Sequence, residues 1–255
     1  MNSTEIKKLY KLENTYWWHI GRKSIVKTMI DKYCQKKSGI EILDIGCGTG
    51  QILQMLSQFG KAVGIDKDKK AIYFCQKRGL DTVKQGRAEQ LPFEENQFDL
   101  ITVLDVLEHI KEDKKTLKEI VRVLKPKGKA LITVPAAKYL WSSHDEALDH
   151  KRRYNRKEIK QKIERTSNLK IKKLSYAVTF LFPAIYLFRK LQLLIGKEKL
   201  PQSSYVLLPK WLNSGFVAIL KLESFLLKYV NLPFGATLIA VAEKGHSANR
   251  KEAGD

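Results

Sequence analysis

Glu41-Ile-Leu-Asp44-Ile-Gly46-Cys47-Gly48-Thr-Gly50 decides how this chain is read. A short apolar run ends in an acid and passes at once into glycines at alternate positions. With no Cβ, Gly46 and Gly48 permit a sharp turn and a close approach of the backbone to a ligand, and a helix beginning near Gly50 aims its N-terminus at that ligand. A dinucleotide fingerprint needs its third glycine one residue later, where Gln51 stands, and a phosphate loop needs a Gly-Lys-Ser/Thr ending that is absent. A plain strand-to-helix turn is the bland alternative.

The next sixty residues argue against it. Apolar residues at helical spacing (Ile52, Leu53, Met55, Leu56, Phe59) lead to Lys61-Ala-Val-Gly-Ile-Asp66, a second short strand ending in an acid. Gly86-Arg-Ala88-Glu89-Gln-Leu-Pro-Phe93, Phe98-Asp-Leu-Ile-Thr-Val-Leu-Asp105-Val106-Leu-Glu-His109 and Val121-Arg-Val-Leu-Lys-Pro-Lys-Gly128 follow, then Lys129-Ala-Leu-Ile-Thr-Val134. In order and spacing these segments resemble the class I S-adenosylmethionine-dependent methyltransferases of the type 11-like family, and the resemblance covers nearly the whole chain. One departure is Pro126-Lys127-Gly128, where relatives usually carry Pro-Gly-Gly.

The resemblance implies an α/β fold: a Rossmann-like, doubly wound seven-stranded sheet with an antiparallel last strand. It also implies S-adenosyl-L-methionine as cofactor. Asp44 then helps hold the methionine end of the donor at the turn of Gly46, Cys47, Gly48 and Gly50. Asp66, followed by Lys67, presents a carboxylate to the ribose hydroxyls, because parallel strands of one sheet end on the same edge. Ala88 and Glu89 lie along the adenine, and Asp105 with Val106 closes the pocket. Glu13-Asn-Thr-Tyr16-Trp17-Trp18-His19-Ile-Gly-Arg22 resembles a segment that caps the donor in relatives, with Arg22 placed to pair with the donor carboxylate.

The expected organisation is an N-terminal helical cap over 1–38 and a methyltransferase domain over 39–244. Strands six and seven are expected at about Lys170–Ala177 and Thr237–Glu243. Between them, an insertion of helices over about 178–234 is expected at the sheet edge, followed by a disordered tail at 245–255 that contains His246. Cys34, Cys47 and Cys75 form no Cys-x-x-Cys pair, and Met1 to Thr15 has no apolar core of a signal peptide. A cytoplasmic protein is the expectation, with peripheral attachment to the inner face of the membrane as an option.

Of the formal net charge of +20, a net +12 lies between Lys151 and Lys199. Uncharged aromatic runs accompany it, Leu174–Phe188 and then much of Trp211–Val230, each too short or too interrupted to span a bilayer. Basic flanks beside apolar helix faces suit an anionic membrane surface. Nucleic acid is disfavoured, because the motif reads Asp105-Val-Leu-Glu108 where many nucleic-acid amino-methyltransferases have Asn/Asp-Pro-Pro-Tyr. A small-molecule or lipid-linked acceptor is therefore expected, glycan-, lipid- or quinone-like. RNA methylation and a donor-binding protein without turnover are the alternatives.

After strand five the chain reads Leu140-Trp-Ser-Ser-His144-Asp145 and His150-Lys-Arg-Arg153-Tyr154. Methyl transfer from a sulfonium is an in-line displacement, and a hydroxyl acceptor must also lose its proton. Histidine suits that task near neutral pH. His150 is the first candidate for the base and His144 the second, with Asp145 as the orienting carboxylate. A metal site built from His144, Asp145 and His150 is possible by residue type but disfavoured, so no metal is expected.

Overall fold

The computed structural model describes residues 3–34, 39–166, 168–194, 205–206 and 208–245. The expected disordered tail with His246 lies outside them, apart from Gly245, as does the middle of the insertion. β1 (Ile40–Ile45), β2 (Gly60–Asp66), β3 (Val83–Gln85), β4 (Phe98–Leu104), β5 (Leu124–Pro135), β6 (Leu169–Ala177) and β7 (Thr237–Lys244) form one sheet in the order β3-β2-β1-β4-β5-β7-β6. β7 runs antiparallel to both of its neighbours, and the others pair in parallel. The sheet is the Rossmann-like, doubly wound one the sequence implies.

β1 is apolar on both faces because both faces are covered. Leu43 and Ile45 join Ile101 and Val103 under the helices Asp113–Val123 and Arg156–Thr166. Ile42 and Leu100 face the opposite core, built from the helix Trp17–Tyr33 and the helix Lys210–Leu226. In chain order the helices are α1 (Ser3–Leu12), α2 (Trp17–Tyr33), α3 (Gln51–Leu56), α4 (Lys69–Lys77), α5 (Asp113–Val123), α6 (Ser143–Ala147), α7 (Arg156–Thr166), α8 (Phe182–Leu194) and α9 (Lys210–Leu226).

The insertion leaves from the edge strand β6, but α9 does not remain at the edge. It packs on α2 over the sheet face, so tightly that a Cβ on Gly21 would lie 2.1 Å from Leu220 Cδ1. Ser224 ties the two helices, sharing a hydrogen bond with Thr28 at 2.6 Å and donating to Ser24 O at 3.0 Å. The physical reason is cover: Leu220 and Leu227 find an apolar face to bury against. Glu223, buried on the same helix, accepts backbone N–H bonds from Val178, Thr179 (2.8 Å) and Phe180 (3.0 Å). That carboxylate satisfies the turn into α8, where Val178 has φ 60°, an outlying value for a β-branched residue. Pro183 sits in the first turn of α8, where its missing N–H costs nothing. Among the described residues no helix is long and apolar enough to cross a membrane.

Candidate active site

The strand register brings Asp44, Asp66 and Asp105 to one edge of the sheet, since Asp44 pairs with Gly64 and Thr102, and Ile45 with Ile65 and Val103. Gly46 and Cys47 donate to Ile65 O at 2.8 and 3.1 Å, pinning the turn to the end of β2. Gly46 has φ 72°, and a Cβ there would lie 2.4 Å from Val106 Cγ2, so only glycine fits. Asp44 is buried and accepts from Thr102 Oγ1 at 2.6 Å. Burial pushes its carboxyl up to about 7, against the pull of that hydrogen bond and of Arg22. Asp66 accepts Gly48 N–H on one oxygen (3.0 Å) and Asp68 N–H on the other (2.9 Å). Two backbone donors hold the carboxylate in place while each oxygen keeps a lone pair for another donor.

The N-terminal segment is locked to this turn. Glu13, buried against burial's own upward push on its pKa, accepts from Thr49 Oγ1 (2.6 Å) and pairs with Arg78, whose Nε donates to Thr49 O at 2.7 Å. Trp17 packs edge-on against Phe216 of α9, ring centroids 5.4 Å apart, and its N–H donates to Asn213 Oδ1 at 2.9 Å. The aromatic patch is thus at once a packed helix and a wall of the cavity. Arg22 donates to Asp105 Oδ2 at 2.7 Å, and Thr133 holds the other oxygen at 3.0 Å. Asp105 has φ 57°, strained for a non-glycine residue in a binding cleft. His19 is buried, and burial followed by the Arg22 charge lowers its pKa to about 3, so it is neutral.

Beyond Asp105 the same cavity, about 1090 Å³ in all, continues to a cluster of histidines and carboxylates. His150 Nδ1 lies 2.8 Å from Asp145 Oδ1, and its Nε2 faces Glu108 Oε1 at 3.9 Å. Asp145 also accepts from Arg153 Nε (2.8 Å) and Nη2 (2.9 Å), from Ser142 N (3.1 Å) and from Arg189 Nη1 (3.3 Å). Burial works to raise its pKa, but the His150 hydrogen bond and the two guanidinium groups hold it below the usual carboxylate range. Burial, then the nearby Asp105, drives Glu108 well above its ordinary value. Burial and Arg189 lower His144 to about 3, and burial and His150 lower His109 to about 4.

Comparisons with known proteins bear on the fold and family. Residues 43–132 match the family described as methyltransferase domain. Those residues read as part of a methyltransferase domain, consistent with the class I fold. It is 35% identical over 98 residues to an uncharacterized methyltransferase of Bacillus subtilis, YcgJ, a match that covers 36% of this chain and 39% of that protein. It is 34% identical over 130 residues to a demethylmenaquinone methyltransferase of Lactobacillus johnsonii, covering 44% and 53%. The matched stretch thus spans about half or less of each curated relative. The fold resembles a chain in the complex between the Haloferax volcanii Trm112 methyltransferase activator and a putative methyltransferase, with TM-score 0.62, 18% identity and coverage of 96% of this chain and 95% of that one.

Around the methyltransferase domain's cavity stand Arg22, Asp44, Gly46, Cys47, Gly48, Asp66, Lys67, Ala88, Glu89, Asp105 and Val106, together with His144 and His150. Gly50 is the exception. It points into packing, where a Cβ would meet Leu80 at 2.7 Å and Cys75 Sγ at 3.0 Å, so its place in the motif is structural. Asp145 stands behind His150, hydrogen-bonded to it at 2.8 Å, without lining the cavity. Arg22, expected to meet a donor carboxylate, is engaged by Asp105, although its Nε has no partner among the described residues. His144, lowered to about 3, is a weak base at neutral pH. Sequence reading passed over Glu108, Arg153, Arg189, Glu13 and Arg78 as site residues, and took His109 as a pocket wall or helix-start residue rather than a base; it does line the cavity. Of those passed over, only Glu108, close to a motif acid, carried a signal that could have found it.

Proposed function

We propose that this protein transfers a methyl group from S-adenosyl-L-methionine to a small, ring-bearing acceptor with an oxygen near the reacting atom, of quinone-like type, taken from a membrane surface. The observation that carries this reading is one continuous cavity with the glycine turn at one end and the His150–Asp145 pair at the other. Its volume is at the top of the roughly 300–1,000 Å³ range of single-ligand sites, which leaves room for two ligands side by side.

The residues fit the donor. Gly48 keeps a Cβ out of its path, Asp66 offers fixed acceptors for a diol, and Asp44 offers a buried carboxylate to the amino group. When bound, the donor supplies an electrophilic methyl on a sulfonium. Trp17, Trp18, Ile185 and Phe188 exclude water and present apolar faces to an aromatic acceptor. For a hydroxyl acceptor, His150 Nε2 is the lone pair that takes the proton, and Asp145 fixes the tautomer through Nδ1. The demethylmenaquinone methyltransferase among the relatives supports the acceptor class.

The membrane part of the proposal rests on the outer faces of the insertion. Tyr186, Leu187 and Leu191 on α8, within the basic stretch, and Trp211, Leu222 and Phe225 on α9, after it, are exposed. Phe188 lines the cavity and Phe182 packs on Phe234, so neither reports on membrane contact. Leu187 and Leu191 do. Anionic vesicles should retain the protein with a salt-resistant fraction, since apolar insertion is not screened, and Leu187→Ser with Leu191→Ser should abolish that fraction.

The deciding experiment incubates the protein and radiolabelled donor separately with lipid extract, polar metabolites and RNA. Label in the lipid fraction supports the reading. Label in RNA alone replaces it with nucleic-acid methylation, and donor binding with no labelled fraction leaves a donor-binding protein without turnover.

A further inference from the structure

Glu108 is fully buried at the wall of the cavity, and neither carboxylate oxygen has a hydrogen-bond partner among the described residues. Leaving such a group unsatisfied costs several kcal/mol, so a missing partner is the first thing to look for. Two imidazoles face it. The ligand atoms of Glu108, His109 and His150 all lie within 4.8 Å of one another, and the two histidine rings stand 4.8 Å apart at 71°.

The outer nitrogens of both rings are already engaged. His150 Nδ1 pairs with Asp145 at 2.8 Å, and His109 Nδ1 lies 3.2 Å from Asp149 O. A carboxylate behind one imidazole and a backbone carbonyl behind the other are the supports that orient metal-binding histidines, fixing each Nδ1–H and leaving each Nε2 with a lone pair. Arg22 and Arg153 pair with Asp105 and Asp145 and give Glu108 no hydrogen bond.

We propose that Glu108, His109 and His150 form a divalent-cation site of two imidazoles and one carboxylate at the acceptor end of the cavity. Ligands around one zinc ion sit at about 2.0–2.2 Å from it, hence roughly 3.4 Å apart in a tetrahedron. The most distant pair of ligand atoms therefore has to close by up to about 1.4 Å, through rotation of the Glu108 carboxyl and the imidazoles. Three protein ligands leave a position open toward the cavity, and the nitrogen-rich donor set favours zinc over manganese and magnesium. On the methyltransferase reading above, His150 serves as the base only in the ion-free protein; with the ion bound, its Nε2 lone pair is taken, the open position receives an oxygen of the acceptor, and the proton of the acidified hydroxyl passes to solvent water. The binding of the ion itself does not depend on that reading.

The test uses the full chain stripped with chelator and titrated calorimetrically with zinc chloride, manganese chloride and magnesium chloride in separate runs, without donor. One zinc per chain is expected, with magnesium far weaker. Glu108→Gln and His109→Ala should each weaken zinc by more than about 100-fold, beyond the 10–100-fold that loss of an outer partner costs. Exposed Glu146→Gln should leave zinc binding unchanged. Thermal unfolding establishes that the variants fold, and His109→Ala, at the rim, decides the matter if Glu108→Gln melts early. No zinc binding by the wild type, or equal binding by both variants, overturns the site. Donor binding is measured on the same preparation: donor without zinc removes this site and leaves the methyltransferase reading standing, whereas zinc without donor does the reverse.

Discussion

The two ends of the cavity are built by different means. The end we assign to the donor is local: a turn, three acids at the ends of neighbouring parallel strands, and backbone N–H groups that hold Asp66 in place. The acceptor end is assembled from side chains far apart in sequence. Asp145 gathers His150, Arg153 and Arg189, the last from α8 and 44 residues away, while Glu108 faces His150 from the end of β4. A site made of backbone tolerates drift in its surroundings. A site made of distant side chains can change its chemistry with a few substitutions while the donor end stays as it is, so one domain can serve many acceptors.

The largest expected effect falls at the acceptor end. His150→Ala should lower turnover by roughly 10²–10⁴-fold while donor affinity, measured by calorimetry, stays within about twofold of wild type. A parallel loss of donor affinity would mean that the two ends are not independent, and the contrast would fail.

Asp66→Ala probes the other end. It removes a charge-assisted acceptor from a buried diol, and donor affinity should fall by roughly 10–100-fold, for a contact worth about 1.5–3 kcal/mol. Zinc affinity should not move. Full-strength donor binding by this variant would sink the assignment of Asp66 to the ribose.

The donor end was legible because its chemistry follows chain order: an acid, glycines, and a second acid one strand later identify it before any packing is known. Six of the strands were legible for the same reason, including the β6 and β7 boundaries around the insertion, whereas the three-residue β3 carries no pattern and was not placed. The cluster of Glu108, His109 and His150 was not, because no spacing links residues 109 and 150 until the loop after β5 folds back, with Lys151 N–H donating to Glu108 O at 2.7 Å. Glu223 was equally hidden. In sequence it interrupts an apolar helix, and only the turn at Val178–Phe180 shows why a carboxylate belongs there.

Asp44 gives a smaller, pH-dependent effect. Its carboxyl, raised to about 7 by burial, still holds a proton in the folded protein where the unfolded chain, with a carboxyl pKa of about 3.9, has lost it. The folded state binds the extra proton between those values, so the stability Asp44 contributes is greatest at and below about pH 4 and is lost as pH rises to about 7. A cationic donor beside it favours the ionised form, so donor binding near pH 6.5 should release a substantial fraction of one proton, and at pH 8.5 almost none. Calorimetry in buffers of different ionisation enthalpy reads this directly. Asp44→Asn should abolish the release, and a release that persists in that variant would place the titrating group elsewhere, outside the donor end.

The smallest effect belongs to neither end. In the irregular stretch of β5 between its pairings at Leu124 and Lys129, Lys127 stands where relatives usually carry glycine, and its φ is 63°, a left-handed conformation that costs a residue with a Cβ roughly 1–2 kcal/mol. Its side chain is exposed, so replacing it removes no packing. Lys127→Gly relieves the steric cost but gives the unfolded chain more freedom, which offsets part of the gain. A net stabilisation of about 0.5–1 kcal/mol is expected in urea unfolding, with donor affinity, zinc affinity and turnover unchanged. If donor or zinc affinity shifted with stability, the two ends would be coupled through the sheet itself. Unchanged affinities on a more stable scaffold would mean that the sheet carries both sites without tuning either.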